Sequence, residues 1–170
     1  MQAFSPRAKT SRSLYTAEER RRRDASGWTL VQGILAPLQF LAFLISLALV
    51  ARYLASGAGH DAAAISVIVK TLALYAIMVT GCLWEKAVFG RYLFAPAFYW
   101  EDVFSMLVLA LHTAYLVAFA FDLLEARAQM YLALAAYAAY AINATQFLLK
   151  LRAARLDVAR AAPGTMGASA

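Results

Sequence analysis

Four stretches of the chain, Trp28 to Ala51, Ala62 to Trp84, Val103 to Phe121 and Met130 to Leu149, hold a single formally charged residue between them, Lys70. Each approaches or exceeds the roughly 20 residues an α-helix needs to cross about 30 Å of hydrocarbon. Lipid cannot satisfy exposed backbone groups, so runs of this length fold as helices. The whole 170-residue chain is 63% hydrophobic and 15% charged, against about 25% charge in a soluble domain. Ser56-Gly57-Ala58-Gly59-His60-Asp61 has turn composition, and Asp122 to Gln129 is a short polar link. Short connections make neighbouring helices antiparallel, so the expected fold is all-α, an integral membrane up-down bundle of four transmembrane helices.

Residues 1–13 mix Ser, Lys, Arg and Pro and are expected to form a disordered tail. Thr16 with Glu19 fits a capping box, so residues 14–26 are read as a basic helix lying at the membrane interface, with Arg20 to Arg23 toward anionic headgroups. Residues 27–151 then form the four-helix domain, and residues 152–170 a C-terminal tail. The first apolar run is too long for a cleavable signal peptide, and no small-residue cleavage site follows it promptly, so it is expected to stay.

Basic residues orient the bundle, because cytoplasmic flanks collect them. Seven lie in the N-terminal tail, Lys86 and Arg91 lie between the second and third segments, and Lys150, Arg152, Arg155 and Arg160 follow the fourth. The opposite connections offer Arg52 and Arg127. Both termini and the central loop are therefore expected on the cytoplasmic side of a bacterial inner membrane. The net charge of +6 follows from these flanks and needs no nucleic acid, for which no recognition motif is present. The single Cys82 excludes an internal disulfide and a multi-thiolate metal site, and no Walker loop or dinucleotide fingerprint occurs.

Polar groups inside lipid are costly and therefore informative. Placed by depth, Gln32, Gln39, Asn143 and Gln146 fall in or near the cytoplasmic half, joined there by Trp84, Glu85, Lys86, Trp100, Glu101, Asp102 and Ser105. Glu101, Ser105, Val108 and His112 follow helical spacing and share one face. Amides of this kind also serve as plain interhelical glue. Glu85, Glu101 and Asp102 bracket one loop, so antiparallel helices bring them together. Like charges held close disfavour ionisation, leaving at least one acid protonated as a general acid, unless pairing with Lys86 or Arg91 or capping of the third helix occupies them. His112, at mid-membrane, is expected to face the interior, as a helix-bonded residue, a proton relay or an axial ligand to a tetrapyrrole metal. Lys70 is expected to snorkel to the opposite surface. The loop from Phe89 to Trp100 is rich in aromatic residues and interrupted by Pro96. It reads either as an interfacial belt or as a re-entrant lid over a cavity.

The run Leu14-Tyr15-Thr16-Ala17-Glu18-Glu19-Arg20-Arg21-Arg22-Arg23-Asp24 followed by Trp28 to Phe40, with Gln32, Pro37 and Gln39, resembles one known family, as do Trp84-Glu85-Lys86-Ala87-Val88-Phe89-Gly90, Leu93 to Phe98, Trp100-Glu101-Asp102-Val103-Phe104 and Leu111-His112-Thr113-Ala114-Tyr115. It is the 3-vinyl bacteriochlorophyllide hydratase family of bacteriochlorophyll biosynthesis. The resemblance implies addition of water across the C3-vinyl group of a chlorophyllide or bacteriochlorophyllide, with no redox cofactor. It supplies no residue roles. On the chemistry alone, Glu85, Glu101 and Asp102 are the candidate acid and base. Trp84, Tyr99 and Trp100 are candidates to cover the flat ring, with Gln32 and Gln39 lining the slot. Lys86 or Arg91 would meet the pigment's carboxylate, and His112 its magnesium. The protein itself holds no metal in this reading. A non-catalytic pigment carrier or assembly subunit would need the slot without the acids, whereas a small ion transporter would need charge along the whole path. A homo-oligomer or a complex with neighbouring pathway enzymes is compatible with so small a bundle.

Overall fold

A computed structural model of the protein describes residues 14–161, with side chains to Leu156. The expected N-terminal tail, 1–13, and the end of the C-terminal one lie outside the described residues. Five helices follow in order: α1 (Ala17–Ala25), α2 (Gly27–Ser56), α3 (His60–Phe89), α4 (Tyr99–Ala120) and α5 (Ala126–Ala161). Among the described residues there is no strand. The last four helices are each long and apolar enough to cross a membrane.

The helix α1 starts where the capping pattern puts it. Thr16 Oγ1 accepts from the Glu19 amide at 3.2 Å, and Glu19 Oε2 accepts from the Thr16 amide at 2.7 Å. Glu18 and Glu19 then sit at the positive end of the helix dipole and Arg22 and Arg23 at the negative end. Thr16→Ala should weaken α1 by about 0.5–2 kcal/mol. Faster amide exchange confined to α1, with bundle unfolding unchanged, is the expected result; unchanged exchange in α1 would remove the cap's role.

The membrane helices run beyond the apolar segments at nearly every end, because a helix once begun propagates through polar flanks that hydropathy alone does not include. α2 stops at Gly57 and α3 at Gly90, both left-handed (φ 74° and 77°), a conformation a side chain would strain. α5 runs on past Leu149 to Ala161.

Cross-contacts fix the topology. Gln32, early in α2, bonds Thr80, late in α3, while Ser46 bonds Ser66. Asn143, late in α5, bonds Ser105, early in α4, and Lys70 of α3 meets His112 of α4. Consecutive membrane helices are antiparallel, as short connections require. The bundle is built as two hairpins: α2 lies along α3 and α4 along α5, and the interfaces between the hairpins are thinner. At the end away from α1 the core packs Phe43, Val50, Val67, Tyr115, Met130 and Tyr137 with alanines 63, 64 and 133, whose small side chains let the backbones approach. At the other end Tyr15, Val88 and Phe98 pack with Trp84, Phe89 and Phe147. Leu30, Ile34, Leu41, Ile45, Ile65, Val69 and Leu72 point outward, as expected of a molecule whose solvent is lipid.

Candidate functional site

The polar side chains gather along the seam between the two hairpins. Inward stripes at helical spacing put them there: Glu85 at the end of α3, then Glu101, Asp102, Ser105, Val108 and His112 on α4, all buried.

The buried carboxyls of Glu85 and Asp102 face one another across the seam, bonded to adjacent residues of the loop between α3 and α4. Glu85 Oε2 accepts from the Ala95 amide at 3.2 Å, and Asp102 Oδ2 accepts from the Phe94 amide at 2.8 Å. Phe94 has φ 58°, unusual for a residue with a Cβ, so the Asp102 bond holds a strained turn in place. Neither acid caps α4 through its own first-turn amides, since that helix has no side-chain cap. Glu101 departs from the group. Its Oε2 lies 2.6 Å from Lys150 Nζ, which also sits 4.9 Å over the Phe98 ring. That pairing occupies Glu101 as a structural bridge between α4 and α5. Lys150 has a sequence signal that escaped notice, since Asn143, Gln146 and Lys150 follow one another at helical spacing on α5.

The loop is neither a simple belt nor a loose lid. Phe98 is 2% exposed, with its ring 5.7 Å from Trp84, 5.9 Å from Phe89 and 5.8 Å from Phe147, and it plugs the end of the bundle. Trp84 is pinned by its own Nε1, which donates to Thr29 Oγ1 at 3.0 Å, so it forms the wall of that plug. Tyr99 and Trp100, expected to cover the flat ring, are 48% and 69% exposed. With 101, 102 and 105 inward, the helical repeat turns 99 and 100 outward, away from the acids. Lys86 donates to the Gly90 carbonyl and lies over the Tyr92 ring, and Arg91 is exposed beside it, both at the rim.

Lys70 does not snorkel. Ala63, Ala64, Val67, Lys70, Thr71 and Leu74 form the inward stripe of α3, so its stem is aimed into the bundle and the residue is 0% exposed. Its Nζ lies 2.8 Å from Nε2 of His112, whose Nδ1 lies 2.8 Å from the Val108 carbonyl. The imidazole faces the interior as expected, but both nitrogens are engaged, and neither is left to ligate a substrate magnesium in this arrangement. Among the described residues no group of three or more His, Cys, Asp or Glu is placed to hold a metal ion.

The amides separate into glue and something else. Gln32 Nε2 bonds Thr80 at 2.7 Å and ties α2 to α3. Gln39 is 3% exposed, and neither end of its amide has a partner. Asn143 donates to Ser105 at 2.8 Å while its Oδ1 is unpartnered, as is Gln146 Oε1. Phe43, one turn on from Gln39, packs with its ring centroid 5.0 Å from that of Tyr140, one turn before Asn143, so the orphaned amides of α2 and α5 lie near one level of the seam. Buried amides without partners mark a place where a water or a ligand polar group belongs.

The model of the 2-vinyl bacteriochlorophyllide hydratase family matches residues 15–153. A curated protein of that name from Rhodobacter capsulatus is 63% identical over 162 residues, covering 95% of this chain and 94% of its own. Another, from Cereibacter sphaeroides, is 65% identical over 158 residues, covering 93% and 98%. No solved structure matches. With identity this high over nearly the full length of both relatives, the chain belongs to the 2-vinyl bacteriochlorophyllide hydratase family.

Proposed function

We propose that the chain adds water across the vinyl group of a chlorophyllide or bacteriochlorophyllide, giving a 1-hydroxyethyl side chain in bacteriochlorophyll synthesis; the 2-vinyl of the relatives' name is the C3-vinyl of the current ring numbering. Family membership supports the reaction. The observation that carries the mechanism is the Glu85–Asp102 pair. Two buried carboxyl groups that grip adjacent residues of one loop hold a single proton between them more cheaply than two charges, and that proton is the one the vinyl group needs. Transfer to the terminal vinyl carbon forms a C–H bond and leaves a cation on the adjacent carbon, spread over the conjugated macrocycle. Water attacks that carbon, and the carboxylate left behind takes up its surplus proton, so the pair returns to its starting state. Gln39 and Asn143, with amide atoms free inside the seam, are placed to hold the water.

The pigment enters from the lipid between the hairpins, where the interface is thinnest. The basic end of the bundle, with α1 at the headgroups, faces the cytoplasm of a bacterial inner membrane that carries the photosynthetic pathway, following the positive-inside distribution. Incubating membranes that contain this protein with 3-vinyl chlorophyllide in 18O-enriched water should give a hydroxyethyl product bearing one heavy oxygen. Retention of the pigment without that product would favour a carrier.

A further inference from the structure

The seam contains a basic group that the hydration chemistry does not use. Lys70 lies wholly inside the bundle, with its Nζ 2.8 Å from His112 Nε2, 4.0 Å over the Tyr140 ring and 5.7 Å from the Tyr137 ring. A carbonyl only accepts, so the contact with Val108 fixes the proton of His112 on Nδ1 and leaves Nε2 as an acceptor. Lys70 therefore donates. Among the described residues no carboxylate pairs with it: the seam acids are committed elsewhere, Glu101 to Lys150, and Glu85 and Asp102 to the loop. A neutral donor would serve His112 equally well at far less cost, because an ammonium buried in hydrocarbon is among the most unfavourable groups a helix can carry. Charge at this position needs an anionic partner, and the described residues do not supply one.

We propose that Lys70, held on His112 at mid-membrane, is the receptor for the free propionate carboxylate of the tetrapyrrole, so that the enzyme selects the unesterified pigment. The assignment rests on the hydration reading above and extends it to the other end of the substrate. Ten residues separate Asp102 from His112 along α4, roughly 15 Å at 1.5 Å per residue. A macrocycle is about 15 Å across with its substituents, so one molecule in the seam reaches both the carboxyl pair and the ammonium. Lys86 and Arg91 do not fit that role, because they sit at the rim within a few residues of Glu85. A rigid ring whose vinyl group lies on the acids cannot also turn its carboxylate back to the same edge. The three rings around Lys70, those of His112, Tyr137 and Tyr140, supply polarizable walls for the charge once the carboxylate is seated.

The test compares 3-vinyl chlorophyllide with its methyl ester, which has the same ring and vinyl group but no carboxylate. The wild-type protein should prefer the free acid. Lys70→Met keeps the stem and removes the charge; it should raise KM for the acid by about 30-fold or more while leaving KM for the ester and both kcat values nearly unchanged. Turnover of the ester then serves as the folding control. Lys70→Arg should retain part of the preference. If Lys70→Met does not fold, His112→Gln keeps the ammonium but loosens its support, and the acid-to-ester ratio should narrow. The proposal is overturned by a wild-type protein that does not discriminate, by an acid-to-ester ratio that survives in Lys70→Met or His112→Gln, or by equal loss of both substrates in a folded variant. Should the wild type turn over neither, hydration fails instead, and the pigments' absorption shifts on binding still compare acid with ester.

Discussion

Glu85→Gln and Asp102→Asn should each lower kcat for hydration by on the order of 10²–10⁴, the range that a positioned general acid contributes. The choice of amide variants separates chemistry from architecture. Both acids also anchor the loop by accepting amide hydrogens from Ala95 and Phe94, and the oxygen of Gln or Asn accepts the same bonds. What an amide cannot do is surrender a proton to carbon. A role limited to loop anchoring therefore predicts near wild-type turnover in these variants, and a role in proton transfer predicts its loss with KM little changed. Glu101→Gln is the internal control, because Glu101 is already committed to Lys150 2.6 Å away. It should fall only a few-fold while weakening the join between α4 and α5. Helical content and pigment binding report whether each variant is folded. If Glu85→Gln and Asp102→Asn both turn over within about threefold of wild type, the carboxyl pair is an anchor and the proton comes from elsewhere.

The bundle was legible in the sequence because its cause is local. Twenty apolar residues in lipid have one backbone solution, and the capping box at Thr16 announces itself in four residues. The shared face of Glu101, Ser105, Val108 and His112 was legible for the same reason, since helical spacing alone defines it. Partners were harder. Lys70 reads from sequence as a residue that escapes to the surface, and only the tertiary arrangement shows that α3 turns it inward, onto an imidazole 42 positions away. Tyr99 and Trp100 face the other way. Aromatic residues in a loop suggest a cover, yet the phase of α4 sends them outward once the acids next to them are buried. Glu85, Glu101 and Asp102 were correctly brought to one end, but their division into a carboxyl pair and a separate ion pair depended on Lys150, which belongs to a helix far along the chain. Placing polar residues by depth gathers them toward one end of the bundle, and packing between the hairpins decides which of them meet.

Phe98→Ala should destabilise the protein by about 3–5 kcal/mol and take activity with it. Phe98 is nearly inaccessible among Trp84, Phe89, Phe147 and Tyr15, with the Lys150 ammonium over its face, so truncation opens a cavity bounded by rings too rigid to close it. Its backbone closes the loop as well: the Phe98 amide donates to Ala95 O at 2.8 Å, and its carbonyl accepts from the Asp102 amide at 2.9 Å. Unseating the ring should let this turn swing away and withdraw the Ala95 and Phe94 amides from Glu85 and Asp102, exposing the carboxyl pair to water. A lower unfolding temperature in detergent should therefore appear together with new proteolytic cleavage between Gly90 and Phe98. Trp100→Ala, two residues on but 69% exposed, should change neither, although it removes the larger side chain. Phe98→Leu should fall between them, restoring volume without the stacked contact to Phe147. A Phe98→Ala protein that unfolds at the wild-type temperature would mean that the aromatic plug does not close this end of the bundle, and that the two carboxylates hold the loop alone.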